Sequence, residues 1–210
     1  MANFVSTLDG IVSYALPGRA HAGAISEGNE ADRFALALLR ACADTIVVGA
    51  GTLREEREHI WTPEFVYAAA ADEFAALRRA LRKPPRATVV FVSASGDVDR
   101  DAPIFRADVP VRVLTGKRSP RALIAEAGGG LVVTEGGPTL FAELLREHVV
   151  DELFLTYAPR LAGRSASAPR RALVEGHGFS PDEAPRGRLA SLKRSGDFLF
   201  ARYRLENERR

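Results

Sequence analysis

Six consecutive residues, Glu135-Gly136-Gly137-Pro138-Thr139-Leu140, bring together several groups that could handle an anionic ligand. The glycine pair permits unusual backbone angles or a close ligand approach. Pro138 pre-sets the first turn of a helix. The start of that helix offers unpaired amides and the positive end of a dipole, which suits a diphosphate. Thr139 adds a hydroxyl, and Glu135 stands where an acid could meet a substrate. The competing reading is a plain glycine-rich turn with a solvated Glu135.

Two other segments carry weaker signals. Gly49-Ala50-Gly51-Thr52-Leu53-Arg54 has two glycines that let amides approach a phosphate, or that simply make a tight turn. It is not a Rossmann fingerprint, because Arg54 stands where a third small residue is required. It is not a P-loop either, since no Gly-Lys-Ser/Thr follows. Ser6-Thr7-Leu8-Asp9-Gly10 could place an acid, Asp9, for catalysis. An Asx turn before glycine explains the same residues equally well.

The four histidines are dispersed, and no metal-ligand spacing is evident, so no metal is expected. Cys42 is the lone cysteine and excludes an internal disulfide; its helical apolar setting suggests a buried, inert thiol. No Gly-x-Ser-x-Gly elbow supports a serine nucleophile.

The elements that must position these groups alternate along the chain. Short apolar strands are expected at 3–6, 45–48, 87–92, 109–114, 131–134 and 151–157. Helices are expected after Asn29, with Phe34, Leu38 and Cys42 recurring on one face, and over 72–82, with Phe74, Leu77 and Leu81 aligned. Ser119-Pro120 should open another helix, ended by Gly128-Gly129-Gly130. The last helix should run from Pro138 to Glu147 with Leu140, Phe141, Leu144 and Leu145 on one side. A closing strand pair, 188–193 and 198–205, follows. This alternation predicts an α/β fold: a mostly parallel central sheet, helices on both faces, and antiparallel strands at the C-terminal edge. Ligands should then bind beyond the carboxyl ends of the strands.

The chain has 210 residues, with 29 basic and 27 acidic side chains, a balance too even to argue for nucleic acid. A single domain over 1–210 is expected. No apolar run reaches membrane-spanning length, and no signal peptide is evident, so the expected location is cytoplasmic.

Taken together, the segments resemble a known family. Ser6-Thr7-Leu8-Asp9-Gly10, Leu38-Leu39-Arg40-Ala41, Val48-Gly49-Ala50-Gly51-Thr52, Glu135 to Leu140, Val150-Asp151-Glu152-Leu153 and Ala158-Pro159-Arg160-Leu161-Ala162-Gly163 follow in the order of the riboflavin-pathway reductase domain. That domain forms the C-terminal part of a bifunctional deaminase–reductase and has the dihydrofolate reductase-like three-layer sandwich. The deaminase's zinc-ligand pattern is not in this sequence, so the chain resembles the stand-alone members.

The resemblance implies NADPH-dependent hydride transfer to a small pyrimidine-type substrate, as in reduction of 5-amino-6-(5-phosphoribosylamino)uracil. A pterin or another carbonyl or imine substrate, or dinucleotide binding without catalysis, are the alternatives. It also implies cofactor contacts from Ser6, Gly51, Thr52, Glu56, Gly136, Gly137, Pro138, Thr139 and Leu140, with Ser93 and Ser95 toward the adenosine end. Arg40 and Glu135 would face substrate, Arg40 through a phosphate, and Asp9 and Glu135 are the available acids. A homodimer is implied as well. The departures fall on the substrate side: Asn3 replaces a lysine, Ala24-Ile25-Ser26-Glu27 replaces a tryptophan-containing segment, and Glu55-Glu56-Arg57 with His59-Ile60-Trp61 replaces the usual Asp-Asp-Pro region.

Overall fold

The computed structural model describes residues 1–206. In chain order its elements are β1 (Ala2–Ser6), β2 (Ile11–Ser13), α1 (Gly23–Ser26), α2 (Glu30–Cys42), β3 (Thr45–Gly49), α3 (Ala50–Glu55), α4 (Pro63–Val66), α5 (Ala71–Ala80) and β4 (Thr88–Ser93). They continue with β5 (Val111–Thr115), α6 (Pro120–Ala127), β6 (Val132–Thr134), α7 (Pro138–Arg146), β7 (Glu152–Tyr157), β8 (Arg171–Ala172), β9 (Gly187–Ser195) and β10 (Phe198–Leu205). All the strands and helices expected from the apolar pattern are present within a few residues of their predicted ends. The β2–β8 pair and the short helices α1 and α4 were not foreseen; none exceeds four residues, too short for a periodic signal.

The chain folds as two compact units, Met1–Asn29 with Gly137–Arg210, and Glu30–Gly136. In the second, the strands lie in the order β5-β4-β3-β6 and every pairing is parallel. Thr45, Ile46, Val47 and Val48 of β3 are all buried, as expected for a β-branched central strand covered on both faces. The chain runs outward from β3 to β4 and β5, then returns to lay β6 on the other side of β3. This reversal of strand order makes a switch point between the carboxyl ends of β3 and β6. Asp44 fixes where β6 begins: its carboxylate accepts from the Leu131 amide at 2.6 Å and from Lys83 Nζ at 2.5 Å.

The buried stripe of α2 differs from the expected one. Ala37, Leu39, Arg40 and Ala41 face inward, while Phe34 and Leu38 are partly exposed. Phe34 instead meets Tyr67 and Phe74 at the margin, with ring centroids 5.4 and 5.9 Å away. On α5, Arg78 is buried below Phe74, and Leu81 is exposed. Arg78 Nη1 donates to the carbonyls of Arg40, Ala41 and Ala43, and Nε donates to Pro84 O at 2.7 Å. A guanidinium thus caps the carboxyl end of α2, where carbonyls lack partners and the dipole favours a cation.

In the first unit, β1 pairs parallel with β7, and β7 and β9 flank β10 antiparallel. This gives the antiparallel C-terminal strands that were expected. Phe4 packs on Phe141 of α7 at 4.8 Å, and Phe141, Ala142, Leu144 and Leu145 form the buried face of that helix.

Candidate active site

In the unit spanning 30–136, the switch point is furnished by the start of α3 and by the turn after β6. β3 runs into Gly49-Ala50-Gly51-Thr52, and β6 runs into Glu135-Gly136. The sheet continues through the backbone of Glu135, whose amide donates to Val47 O at 3.0 Å. Gly136 N donates to Thr134 Oγ1 at 3.3 Å, holding the turn against the strand end.

Arg40 and Glu135, both expected to face substrate, are paired with each other. Arg40 Nε donates to Glu135 Oε1 at 2.8 Å and Nη2 to Oε2 at 2.6 Å, a fork-on-carboxylate pair. Nη1 donates to Thr62 O at 3.3 Å. The side chains are only 1% and 9% exposed. An arginine in this state is a poor first contact for a phosphate, because all three nitrogens are engaged with the protein. Its geometry instead fixes the direction of the Glu135 carboxylate. Sequence spacing gives no warning of a partner 95 residues away, but a charged residue three after buried Ala37 on α2 is a usable signal.

The other residues of this unit that were expected to touch a cofactor are Gly51, Thr52, Glu56, Ser93 and Ser95. Gly51 is exposed and a Cβ there would find only Arg54 at 4.0 Å. Glu56 Oε2 lies 3.2 Å from His59 Nδ1, and the His59 ring sits against Trp61 and Phe65 at 4.8 and 4.7 Å. Ser93 ends β4 and Ser95 follows it, and they organise a tight loop, with Ser93 Oγ donating to Asp97 O at 3.1 Å and Asp97 N donating to Ser95 Oγ at 3.3 Å.

In the other unit, Ser6 ends β1 opposite Tyr157 of β7. Its hydroxyl is buried and has no hydrogen-bond partner among the described residues. Such an orphan group is costly unless a ligand or water meets it. Asp9 lies on the turn just beyond. Its carboxylate accepts from Thr7 Oγ1 at 2.5 Å, Ala162 N at 3.1 Å and Gly163 N at 2.7 Å. The Thr7 hydroxyl, then the two amides, hold its pKa down at about 2. Thr7, which sequence reasoning did not single out, is the link: it also accepts from Ile11 N at 3.0 Å.

Helix α7 starts at Gly137, Pro138, Thr139 and Leu140. Gly137 is the N-cap at φ −59°, ψ 168°, and no side chain caps this end. Any residue can adopt those angles, so backbone freedom is not what a glycine supplies here. Pro138 is at the first turn, Thr139 is exposed, and Glu175 N donates to Pro138 O at 3.5 Å. An orphaned buried hydroxyl at Ser6 and an uncapped, anion-seeking helix start at Gly137 are the groups a nicotinamide dinucleotide would satisfy.

Among the described residues, no group of three or more His, Cys, Asp or Glu could hold a metal, and no helix is long and apolar enough to cross a membrane. Cys42 is half-buried and burial pushes its thiol pKa up, which keeps it unreactive.

A parallel α/β sheet with a strand-order switch belongs to the class of α/β folds that bind ligands beyond the carboxyl ends of their strands. The chain belongs to the RibD C-terminal domain family, whose model matches residues 1–199, and so to the reductase domains of riboflavin biosynthesis with a nicotinamide dinucleotide cofactor. No curated protein sequence matches the chain. Solved structures match its fold. A pyrimidine reductase-like protein from Corynebacterium diphtheriae is 20% identical at a TM-score of 0.73, covering 99% of this chain and 91% of its own. RibD of Acinetobacter baumannii is 19% identical at 0.69, covering 98% of this chain. The match takes in 57% of that longer RibD chain. Dihydrofolate reductase from Enterococcus faecalis, complexed with NADP(H), is 14% identical at 0.51, covering 97% and 94%. The fold is thus the dihydrofolate reductase-like one that the motifs implied.

Proposed function

We propose that this protein is an NADPH-dependent reductase acting on an aminopyrimidine that bears a ribosyl phosphate, reducing the opened sugar to a ribityl chain. The observation that carries this reading is Glu135, fixed at the carboxyl end of β6 by the buried Arg40 fork. A carboxylate aimed by both its oxygens can accept from a substrate's ring NH or amino group while remaining rigid, which serves orientation.

When bound, NADPH supplies the hydride. Gly136, Gly137, Pro138, Thr139 and Leu140 would hold its diphosphate, Ser6 the nicotinamide side, and Gly51, Thr52 and Glu56, with Ser93 and Ser95, the remainder. Asp9, already low in pKa and accepting three hydrogen bonds, acts as a positioning residue for the 160–163 loop. Glu135 likewise accepts rather than donates in the Arg40 pair. The proton that completes the reduction therefore comes from water. The reading includes a cytoplasmic homodimer, for which light scattering on the purified protein is the check.

A second reading has one observation in its favour. Arg40 is closed off by Glu135 and Thr62, which removes a phosphate grip from this position. A pterin or another unphosphorylated imine would need none. NADPH oxidation in the presence of the aminopyrimidine phosphate, its dephosphorylated form, a dihydropterin and a simple aldehyde separates the cases. Turnover with the aminopyrimidine phosphate supports the first reading, turnover only with unphosphorylated compounds supports the second, and tight NADPH binding without turnover on any of them removes catalysis from the account.

A further inference from the structure

Helix α2 carries six consecutive apolar residues, Phe34-Ala35-Leu36-Ala37-Leu38-Leu39. At 3.6 residues per turn such a run leaves no side of the helix polar, a pattern that belongs to a helix covered all round. The chain itself covers α2 only in part. Ala37, Leu39 and Ala41 are buried, but Phe34 is 42% exposed and Leu38 37% exposed. Half-buried Ala31, Ala35 and Cys42 join them at the three- and four-residue spacing of one helical stripe.

Helix α5, in the same 30–136 unit, extends this surface. Leu77 packs against Ala37, Ala41 and Phe74, and Leu81 follows it one turn on, 44% exposed. The two helices run in the same sense, since Phe74 meets Phe34 near their starts and Arg78 caps the end of α2. Their charges are therefore separated by end. Glu30 on α2 and Asp72 and Glu73 on α5, all exposed, stand at the starting end. Arg79 and Arg82, also exposed, stand at the finishing end, where Lys83 reaches Asp44.

An apolar middle between an acidic end and a basic end is complementary to itself. A two-fold axis across the stripe turns one copy end for end, so the acids of each copy meet the arginines of the other. The large Phe34 and Leu38 of each copy then lie over the small Ala31 and Ala35 of the other. The helix dipoles run antiparallel in the same arrangement, each start beside the other's end. A partner of one charge would match one end and be repelled by the other. We propose that the α2–α5 face is where two copies of this chain associate, through antiparallel α2 helices. This inference rests on the homodimer of the reading above and is independent of its cofactor.

The test is sedimentation velocity over a concentration series, on wild type and on variants whose fold is checked by urea unfolding. Wild type should be dimeric. Leu38→Glu should weaken the dimer about a hundredfold or more, because it sets two like charges on the seam. Leu189→Glu, at a more exposed apolar side chain on β9, should leave it unchanged. Arg79→Glu with Arg82→Glu should weaken it about tenfold, and adding Asp72→Arg and Glu73→Arg to the same chain should restore it. Disulfide trapping reads the antiparallel geometry. In a Cys42→Ser background, a mixture of Phe34→Cys and Leu38→Cys proteins should cross-link more completely than either alone. A dimer untouched by Leu38→Glu, equal dissociation by Leu189→Glu, a charge reversal that the second reversal does not restore, or no extra cross-linking in the mixture would overturn the assignment while sparing the homodimer. A wild type that stays monomeric would sink both.

Discussion

The two acids that the motifs offered for chemistry live in opposite circumstances. Asp9 is exposed on a turn in the first unit and is held by a hydroxyl and two amides. Glu135 is nearly buried in the second unit and is held by one guanidinium. Neutral donors around Asp9 make a loop anchor whose loss costs local order. A buried charge facing Glu135 makes an ion pair whose halves depend on each other, because removing one strands the other in a low-dielectric setting. A carboxylate beyond a strand end is thus held by neutral donors in one place and by a buried charge in the other.

The sharpest way to break this comparison is Arg40→Ala. It strands Glu135 and should cost about 3–5 kcal/mol in urea unfolding. The double variant Arg40→Met/Glu135→Leu should recover most of that loss, since it removes both charges. A single-variant cost below about 1 kcal/mol would mean that water reaches the pair and that Glu135 is not fixed by it.

Next comes Glu135→Gln, which keeps the shape and removes the charge. Turnover should fall about a hundredfold, the scale of a misplaced reacting group, while NADPH affinity stays within about threefold. Lost NADPH binding with normal turnover at saturating cofactor would reverse the role assigned to this residue.

Asp9→Asn should act more gently. One amide oxygen cannot replace a carboxylate accepting from three donors, so stability should drop by about 1–2 kcal/mol, with KM rising more than kcat falls. The pH dependence has a definite sign. Asp9 has a lower pKa folded than unfolded, so its contribution is complete above about pH 4, the usual carboxylate range. It is lost as pH falls toward about 2. Acid unfolding of Asp9→Asn should therefore show a shallower slope between those limits, and an unchanged slope would count against the anchor.

The smallest effect belongs to Gly10→Ala. Gly10 closes the same turn at φ +79° with nothing within 4 Å of an added Cβ, so only the left-handed backbone resists substitution. About 1–2 kcal/mol is expected.

Much of this architecture is legible in the sequence because burial on both faces forces continuous apolar runs, as in Thr45-Ile46-Val47-Val48. Ser119 was equally readable: its hydroxyl accepts from Ala122 N, as its place before Pro120 predicts. The inward face of α2 was misread for a physical reason. Small alanines and a guanidinium, not the large Phe34 and Leu38, fill the space beneath it, and hydropathy patterns weight size over fit. Arg78 evaded the same reading, since its value lies in capping carbonyls of another helix. The glycine-rich start of α7 was visible because proline and glycine leave local marks. The Arg40–Glu135 pair was invisible as a pair because only the fold brings its halves together.

The central claim is hydride transfer from NADPH to the sugar carbon of an aminopyrimidine phosphate. It is tested most directly by a single turnover with NADPH doubly deuterated at the nicotinamide C4, followed by mass analysis of the product. The account predicts one deuteron on the former anomeric carbon of the ribityl chain, at equimolar yield with oxidised cofactor. Cofactor oxidation with no label in the pyrimidine product, or no oxidation at all with bound NADPH, would contradict it.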